Sequence, residues 1–250
     1  MKDTSQIKHI YETVLAEHVR DNRQMAFLSG PRQCGKTTLA KSLADRYFTW
    51  DDLATRRLVA GDTAALSELL LARAGNQIVA ASLSREIGVA EKTVKTWIAT
   101  LEYFHEGFTV RPWFKNVENS IRKTPKWYQR DWCEVEDEGA RFENLVACHL
   151  IKAVDMWTDI GLGDYALYYV RNKAKAEVDF LVAKNGKPWF LVEAKTADTK
   201  ISPALISMQK ATGAAHAFQV VRDLPYAAAD AFAYRDPIAV SAQSFLSQLF

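Results

Sequence analysis

Cysteine is scarce in this chain. The three present, Cys34, Cys133 and Cys148, are odd in number and far apart. That spacing argues against a disulfide framework and supplies no pair of metal-ligating thiols. An excess of charge of one sign is also lacking: 32 Lys and Arg stand against 30 Asp and Glu, a formal net charge of +2. Contact with nucleic acid would therefore need a local basic patch rather than a global field. Long apolar runs are missing too. No window approaches the ~20 apolar residues that span a bilayer, and Met1 to Val14 carry charge where a signal peptide would be apolar. Internal repeats and low-complexity segments are absent. The expectation is a soluble, cytoplasmic chain that makes no membrane contact.

What is present suffices for a packed fold. Hydrophobic residues make up 48% of the 250 and charged residues 25%, a globular balance for one large domain or two to three small ones. Residues 5–20 read as an amphipathic helix with Ile7, Ile10, Tyr11, Val14 and Val19 on one face. Met25–Leu28 reads as a buried strand, Thr37–Tyr47 as a helix, Tyr47–Trp50 as a short strand and 51–75 as helical, with a break at Gly75-Asn76. Residues 113–135 are basic and aromatic without a clean period and read as an irregular linker. From Gly139 the pattern is regular again. A helix is expected over 139–156, then strands at Ala166–Arg171, Glu177–Ala183 and Trp189–Ala194, with Asn185-Gly186 as a hairpin turn. A helix at 203–213, a strand at Phe218–Val221 and a closing helix over Ser241–Phe250 complete the series.

Three sets of residues carry chemistry. Residues 30–37 read Gly-Pro-Arg-Gln-Cys-Gly-Lys-Thr, which matches the P-loop pattern between a strand and a helix. Gly30 and Gly35 let backbone N–H groups wrap phosphates, and the following helix adds its N-terminal dipole. Lys36 reaches the β- and γ-phosphates, and the Thr37 hydroxyl ligates Mg²⁺. Gln33, Cys34 and Thr38 belong to the same phosphate-contacting stretch. Hydrolysis also needs an acidic residue at the end of a buried strand, and residues 40–140 offer no convincing one. The pattern fits one βα unit and the start of another, so the nucleotide fold reads as truncated.

The second set spans residues 82–104. Leu83, Ile87 and Val89 bracket a Gly88 turn, and Val94, Trp97, Ile98 and Leu101 give the next helix one apolar face. This is helix-turn-helix spacing, with Gly107–Pro112 as a candidate wing. Glu91, Lys92, Lys95 and Thr96 fall on the exposed face. The element reads either as a DNA contact or as a protein-packing module.

In the third set, Asp179 lies on one strand and Glu193 and Lys195 on its hairpin partner. Glu193 and Lys195, two apart, share a side, and Glu143 comes from the preceding helix. Asp179 and Glu193 can converge on one Mg²⁺ while Lys195 orients or deprotonates water. Such oxygen ligands suit a hard cation and phosphodiester hydrolysis. Against the reading of an ordinary charged strand end, Glu193 follows Trp189-Phe190-Leu191-Val192, where a charge is costly.

Taken together, Leu28 to Leu39, the strand Phe48–Asp52, the winged helix at 77–112, Phe142-Glu143-Asn144-Leu145-Val146 and the strands Glu177–Val182 and Glu193–Lys195 resemble one family. It is the bacterial and archaeal AAA-type ATPases that end in a domain of unknown function with a restriction-endonuclease-like core. The resemblance implies an α/β chain in three parts: a truncated P-loop unit (1–75), a winged helix and linker (76–135), and a restriction-endonuclease-like αβββαβ domain (136–250). It implies ATP binding at Gly30, Gly35, Lys36 and Thr37. The acidic strand, sensor strand and arginine-bearing helix of the family have no counterpart, so the chain reads as internally shortened near 60–76, and ATP hydrolysis is not carried over. Three functions follow as expectations: a DNA-associated ATP-binding protein, a Mg²⁺-dependent nuclease acting through Asp179, Glu193 and Lys195 with Glu143, and a non-catalytic module, self-associating where the missing strands leave apolar surface exposed.

Overall fold

A computed structural model of the chain describes residues 11–21, 28, 30, 35–43, 63–113, 124–172 and 176–250. The chain divides into two compact units, Met1–Ala64 and Ala65–Phe250. The first holds helices α1 (Glu12–Asp21) and α2 (Lys36–Leu43). Val14 and Val19 of α1 are exposed. The strand expected at Met25–Leu28, apart from Leu28, and the strand at Tyr47–Trp50 lie outside the described residues, as do 1–10 and 51–62.

The second unit opens in helix α3 (63–71) and continues through α4 (Ala80–Ile87) and α5 (Glu91–Tyr103). Gly88 turns the chain between α4 and α5, as the helix-turn-helix spacing predicts. The apolar faces of the three helices meet in one core of Leu66, Leu70, Ile78, Leu83, Val94 and Leu101. Trp127, arriving from well beyond the helices, completes it.

The remainder is a seven-stranded mixed sheet, so the α/β class holds. Its strands are β1 (Gly107–Pro112), β2 (Lys126–Gln129), β3 (Tyr165–Arg171), β4 (Glu177–Lys184), β5 (Lys187–Lys195), β6 (His216–Val221) and β7 (Ile238–Ser241). They lie in the order β2-β1-β3-β4-β5-β6-β7. Strands β3, β4 and β5 are antiparallel neighbours; β1–β3, β5–β6 and β6–β7 are parallel pairs. Asn185 (φ 51°) and Gly186 (φ 71°) make the β4–β5 turn, in the left-handed conformations that a two-residue hairpin needs. Helices α6 (Glu138–Asp159) and α7 (Pro203–Thr212) cover the sheet, and α8 (Ala242–Leu246) closes the chain. The predicted order of helix, three strands, helix and strand is present from α6 to β6.

The pleat sorts the sheet's side chains into two faces. Leu181, Ala183, Leu191 and Ala217 pack with Leu205 and Met208 of α7. Phe180, Phe190 and Phe218 turn the other way. There Phe190 and Phe218 meet Phe232 and Phe245 at ring distances of 5.0–6.4 Å, and Trp157 of α6 packs on Tyr165 and Trp189.

The linker expectation for 113–135 needs correction. Residues 126–129 form β2, and all four are buried; Trp132–Glu134 make a short 3₁₀ turn. The strand is held on both edges. Its inner edge pairs with β1, where Gly107 faces Gln129; a Cβ at Gly107 would lie 2.1 Å from the Trp127 ring, so the close approach requires glycine. On the outer edge, Gly75 N–H donates to Trp127 O (2.8 Å) and Trp127 N–H to Asn76 O (3.1 Å). Asn144 of α6, fully buried, accepts from Gln129 N–H at 2.9 Å and donates to Gln129 O. Strand β7 was also missed; it sits just before the closing helix.

Asn144→Ala is expected to leave the Gln129 N–H without its partner and the Gln129 C=O with only the weak Cys148 Sγ donor at 3.4 Å, and to cost about 1–3 kcal/mol, the penalty of one buried orphan. Denaturant unfolding of the two proteins measures it. A loss below ~1 kcal/mol would show that β2 does not depend on this side chain.

Candidate functional site

The ends of β4 and β5, the first turn of α6 and the turn at 74–76 enclose a cleft of about 450 Å³, lined among others by Gly75, Asn76, Glu143, Asp179 and Lys195. The recorded β4–β5 pairing stops at Phe180↔Val192. Just beyond it, Asp179 Oδ2 accepts the Ala194 N–H at 2.8 Å, so this side chain stands in for the next rung of the ladder. Glu193 is 6% exposed. Its Oε1 meets Lys195 Nζ at 2.8 Å, as expected for residues two apart on one strand. Its buried Oε2 has no hydrogen-bond partner among the described residues.

Glu143, one turn into α6, takes two donors on Oε1: Tyr128 Oη at 2.7 Å and Lys126 Nζ at 3.2 Å. Lys126, 4% exposed, also reaches Glu177 Oε1 at 2.7 Å, and Arg171 pairs with the other Glu177 oxygen at 3.3 Å. The structure thus brings Glu143, Asp179 and Lys195 to the wall of one cleft, with the buried Glu193 tied to Lys195, and adds Lys126, Tyr128 and Glu177 to the charge cluster around Glu143. Glu177, two before Asp179 on β4, shares its side by the same spacing rule, but spacing carries no signal for the other two. Lys126 and Tyr128 sit in the stretch that reads as a linker, and they become site residues only because β2 lies beside α6.

Charge in the cleft is unbalanced. Four carboxylates (Glu143, Glu177, Asp179 and Glu193) face Lys126, Lys195 and the more distant Arg171. Burial, then the nearby Glu143 and Glu193, raise the Asp179 carboxyl well above its ordinary 3.8; Lys126 and the Ala194 N–H pull the other way. Burial also raises Glu193, against the pull of Lys195. Burial works against the Lys126 ammonium, but Glu143, Asp179 and Glu177 outweigh it and keep the group charged. Burial raises the Tyr128 phenol well above its usual range, so it stays a hydrogen-bond donor. A divalent cation fits this donor set, because it would satisfy the orphaned Glu193 Oε2 and relieve the like charges. Among the described residues no group of three or more His, Cys, Asp or Glu is arranged to hold a metal ion. Asp179 and Glu193 are the carboxylates that would hold such an ion.

In the P-loop segment, Lys36 opens α2 and its Nζ donates to Gly30 O at 2.6 Å. Gly35 has φ +84° and accepts from Leu39 N–H at 2.9 Å. Thr38 is exposed. Gln33, Cys34 and the Thr37 side chain lie outside the described residues. On the helix-turn-helix, Glu91, Lys92, Lys95 and Thr96 are exposed as expected, with Lys95 paired to Glu91 at 2.5 Å. Glu102 accepts from both Thr109 N–H (2.8 Å) and Thr109 Oγ1 (2.7 Å), which locks α5 to β1. Of the cysteines, Cys133 and Cys148 are free, and burial raises the Cys148 thiol to about 11. No helix among the described residues is long and apolar enough to cross a membrane.

Residues 138–233 match a family model described as a domain of unknown function, DUF4143, a domain found in AAA-ATPase-associated proteins. Residues 36–132 match a second domain of unknown function, DUF8612. Neither is an ATPase family. An uncharacterized protein of Mycobacterium tuberculosis and one of Mycobacterium bovis are each 28% identical to this chain over 159 residues, covering 55% of the chain and 34% of the relative. The match therefore spans about a third of the length of these relatives. No solved structure matches. The two family matches divide the cleft between them: Gly75, Lys126 and Tyr128 fall in the first stretch of the chain, and Glu143, Asp179, Glu193 and Lys195 in the second.

The raised Asp179 carboxyl has a stability consequence. A carboxyl whose folded value exceeds its unfolded 3.8 favours folding most at pH below 3.8, and that contribution is lost as pH rises through the folded value. At pH 7 the ionised group costs stability. Asp179→Asn, whose amide oxygen keeps the Ala194 bond, is expected to raise the melting temperature in EDTA at pH 7 by ~2–4 °C per kcal/mol relieved. The gain shrinks as pH falls toward 4. An unchanged or lower melting temperature at pH 7 would contradict this electrostatic account.

Proposed function

We propose that the cleft binds a divalent cation, Mg²⁺ by preference, and acts on phosphodiester bonds of nucleic acid. The observation that carries this reading is the buried, unpartnered Glu193 Oε2 beside Asp179 in a cleft with more carboxylates than bound cations. Asp179 and Glu193 would hold the ion, which would supply Lewis acidity toward a phosphoryl oxygen and lower the pKa of the attacking water. Lys195, half-buried and tied to Glu193, holds a proton at Nζ and orients water toward the phosphorus. Glu143 lines the same cleft, with Oε1 taking Tyr128 and Lys126, and its second oxygen would accept from that water.

A second reading concerns the first unit: it binds ATP, with Gly30, Gln33, Cys34, Gly35, Lys36 and Thr38 around the phosphates and Thr37 toward Mg²⁺. Its support is the P-loop motif together with the Lys36–Gly30 bond. The chain is then an internally shortened relative of the AAA-type ATPases that binds nucleotide without an assigned hydrolytic residue. The exposed α5 face bearing Lys92, Lys95 and Thr96 is its nucleic-acid contact.

Two measurements test these readings. Mg²⁺-dependent cleavage of labelled DNA is expected to fall at least ~100-fold in Asp179→Ala and in Lys195→Ala; cleavage that survives both substitutions would refute this site. A fluorescent ATP analogue is expected to bind the wild type and to lose at least ~10-fold in affinity in Lys36→Ala. Equal binding by the two proteins would remove the P-loop from the account.

A further inference from the structure

Lys126 is an unusual occupant of a carboxylate cleft. Its ammonium is buried, sits between Glu143 (3.2 Å) and Glu177 (2.7 Å), and lies 5.6 Å from the Tyr169 ring centroid. Tyr169 is itself fixed, accepting from Gln77 Nε2 at 2.8 Å and donating to Thr124 O at 2.7 Å. Nothing about Lys126 is adjustable, because β2 is held on both edges and its neighbour Trp127 is locked into the helical core. A cation held this rigidly between two acidic side chains does what a bound metal ion does elsewhere: it neutralises them and fixes their direction.

We propose that Lys126 is a built-in counter-cation of the cleft. It occupies the Glu143–Glu177 side in place of a second metal ion, and it restrains the affinity of the Asp179–Glu193 side for the one divalent cation that side takes. Tyr128 assists by holding the same Glu143 oxygen. Lys126 is thus a positioning residue, contributed by the stretch of chain that precedes the strands bearing the cation ligands. The inference rests on reading the cleft as a cation site.

The physical consequence is a sign. A fixed positive charge close to a divalent cation repels it, so removing that charge tightens binding and exposes a second acidic position. A lysine that merely props up the fold would have the opposite effect, because its loss would loosen the cleft and weaken binding.

The test is titration of the full chain with Mn²⁺ by calorimetry, with folding of each variant checked by its unfolding transition. The wild type is expected to bind one Mn²⁺, lost in Asp179→Asn. Lys126→Met is expected to bind Mn²⁺ at least ~10-fold more tightly, by the removal of one nearby positive charge, or to take up a second ion. Lys126→Arg, which keeps the charge, should stay within ~3-fold of the wild type. Should Lys126→Met fail to fold, Lys126→Gln, which removes the charge but keeps a hydrogen-bond donor for Glu143 and Glu177, is expected to tighten Mn²⁺ in the same direction. Binding that is unchanged or weakened in the folded charge-removing variants overturns the proposal and leaves the cation site standing. No Mn²⁺ binding in any protein removes the cation site and the proposal together. Binding that appears only once Lys126 is gone supports the proposal in its strongest form, with the lysine fully replacing the ion.

Discussion

A buried ammonium and the strand that carries it hold this unit together. Lys126 sits 4% exposed, and an ammonium at that depth is tolerable only if carboxylates meet it. Glu143 from α6 and Glu177 from β4 do so. The next residue, Trp127, points into the core of α3, α4 and α5, and the one after, Tyr128, returns to Glu143 and packs on Phe180 at 5.4 Å. Four consecutive buried residues therefore tie three things together: the helical core, the sheet and the cleft. The order is causal. β2 can lie where it does only because Gly75, Asn76 and Asn144 satisfy its outer edge, and the cleft has its charge arrangement only because β2 lies there.

This explains why part of the structure was legible in the sequence and part was not. Strands β3, β4 and β5 announce themselves through apolar runs and an Asn-Gly turn, which are local signals. The helix-turn-helix is equally local, set by the spacing of Leu83, Ile87, Val94 and Leu101 around Gly88. Asp179, Glu193 and Lys195 could be grouped because hairpin geometry converts sequence distance into spatial distance. β2 offers nothing of the kind. Lys-Trp-Tyr-Gln has a polar residue at each end and no alternation, and its burial comes from partners 15 or more residues away. Reading it as a linker followed from local pattern; tertiary pairing overrode it. Lys126 and Tyr128 were lost to the site for that same reason.

The helical region and the sheet are also less separable than their sequence patterns suggest. The strand expected as a wing, β1, pairs with β2 on one side and with β3 on the other, so the wing is an internal strand of the main sheet. With Glu102 of α5 bound to Thr109 of β1, any displacement of α5 is transmitted to the strand two places from β4. That geometry places the proposed nucleic-acid face of α5 and the carboxylate cleft on one packed body, both within Ala65–Phe250. The P-loop segment belongs to the other unit and stands on its own motif.

The central claim is that the cleft is a cation site held by Asp179 and Glu193 beside a fixed lysine. Anomalous scattering from crystals of the full chain soaked in Mn²⁺ tests it most directly, because it locates the ion rather than inferring it from affinity or activity. The account predicts one peak between the Asp179 and Glu193 carboxylates, within ligand distance of the now-orphaned Glu193 Oε2, with Lys126 still seated between Glu143 and Glu177. A crystal that takes up Mn²⁺ elsewhere while this cleft stays empty, or one in which the ion displaces Lys126 to sit on Glu143 and Glu177, would contradict it.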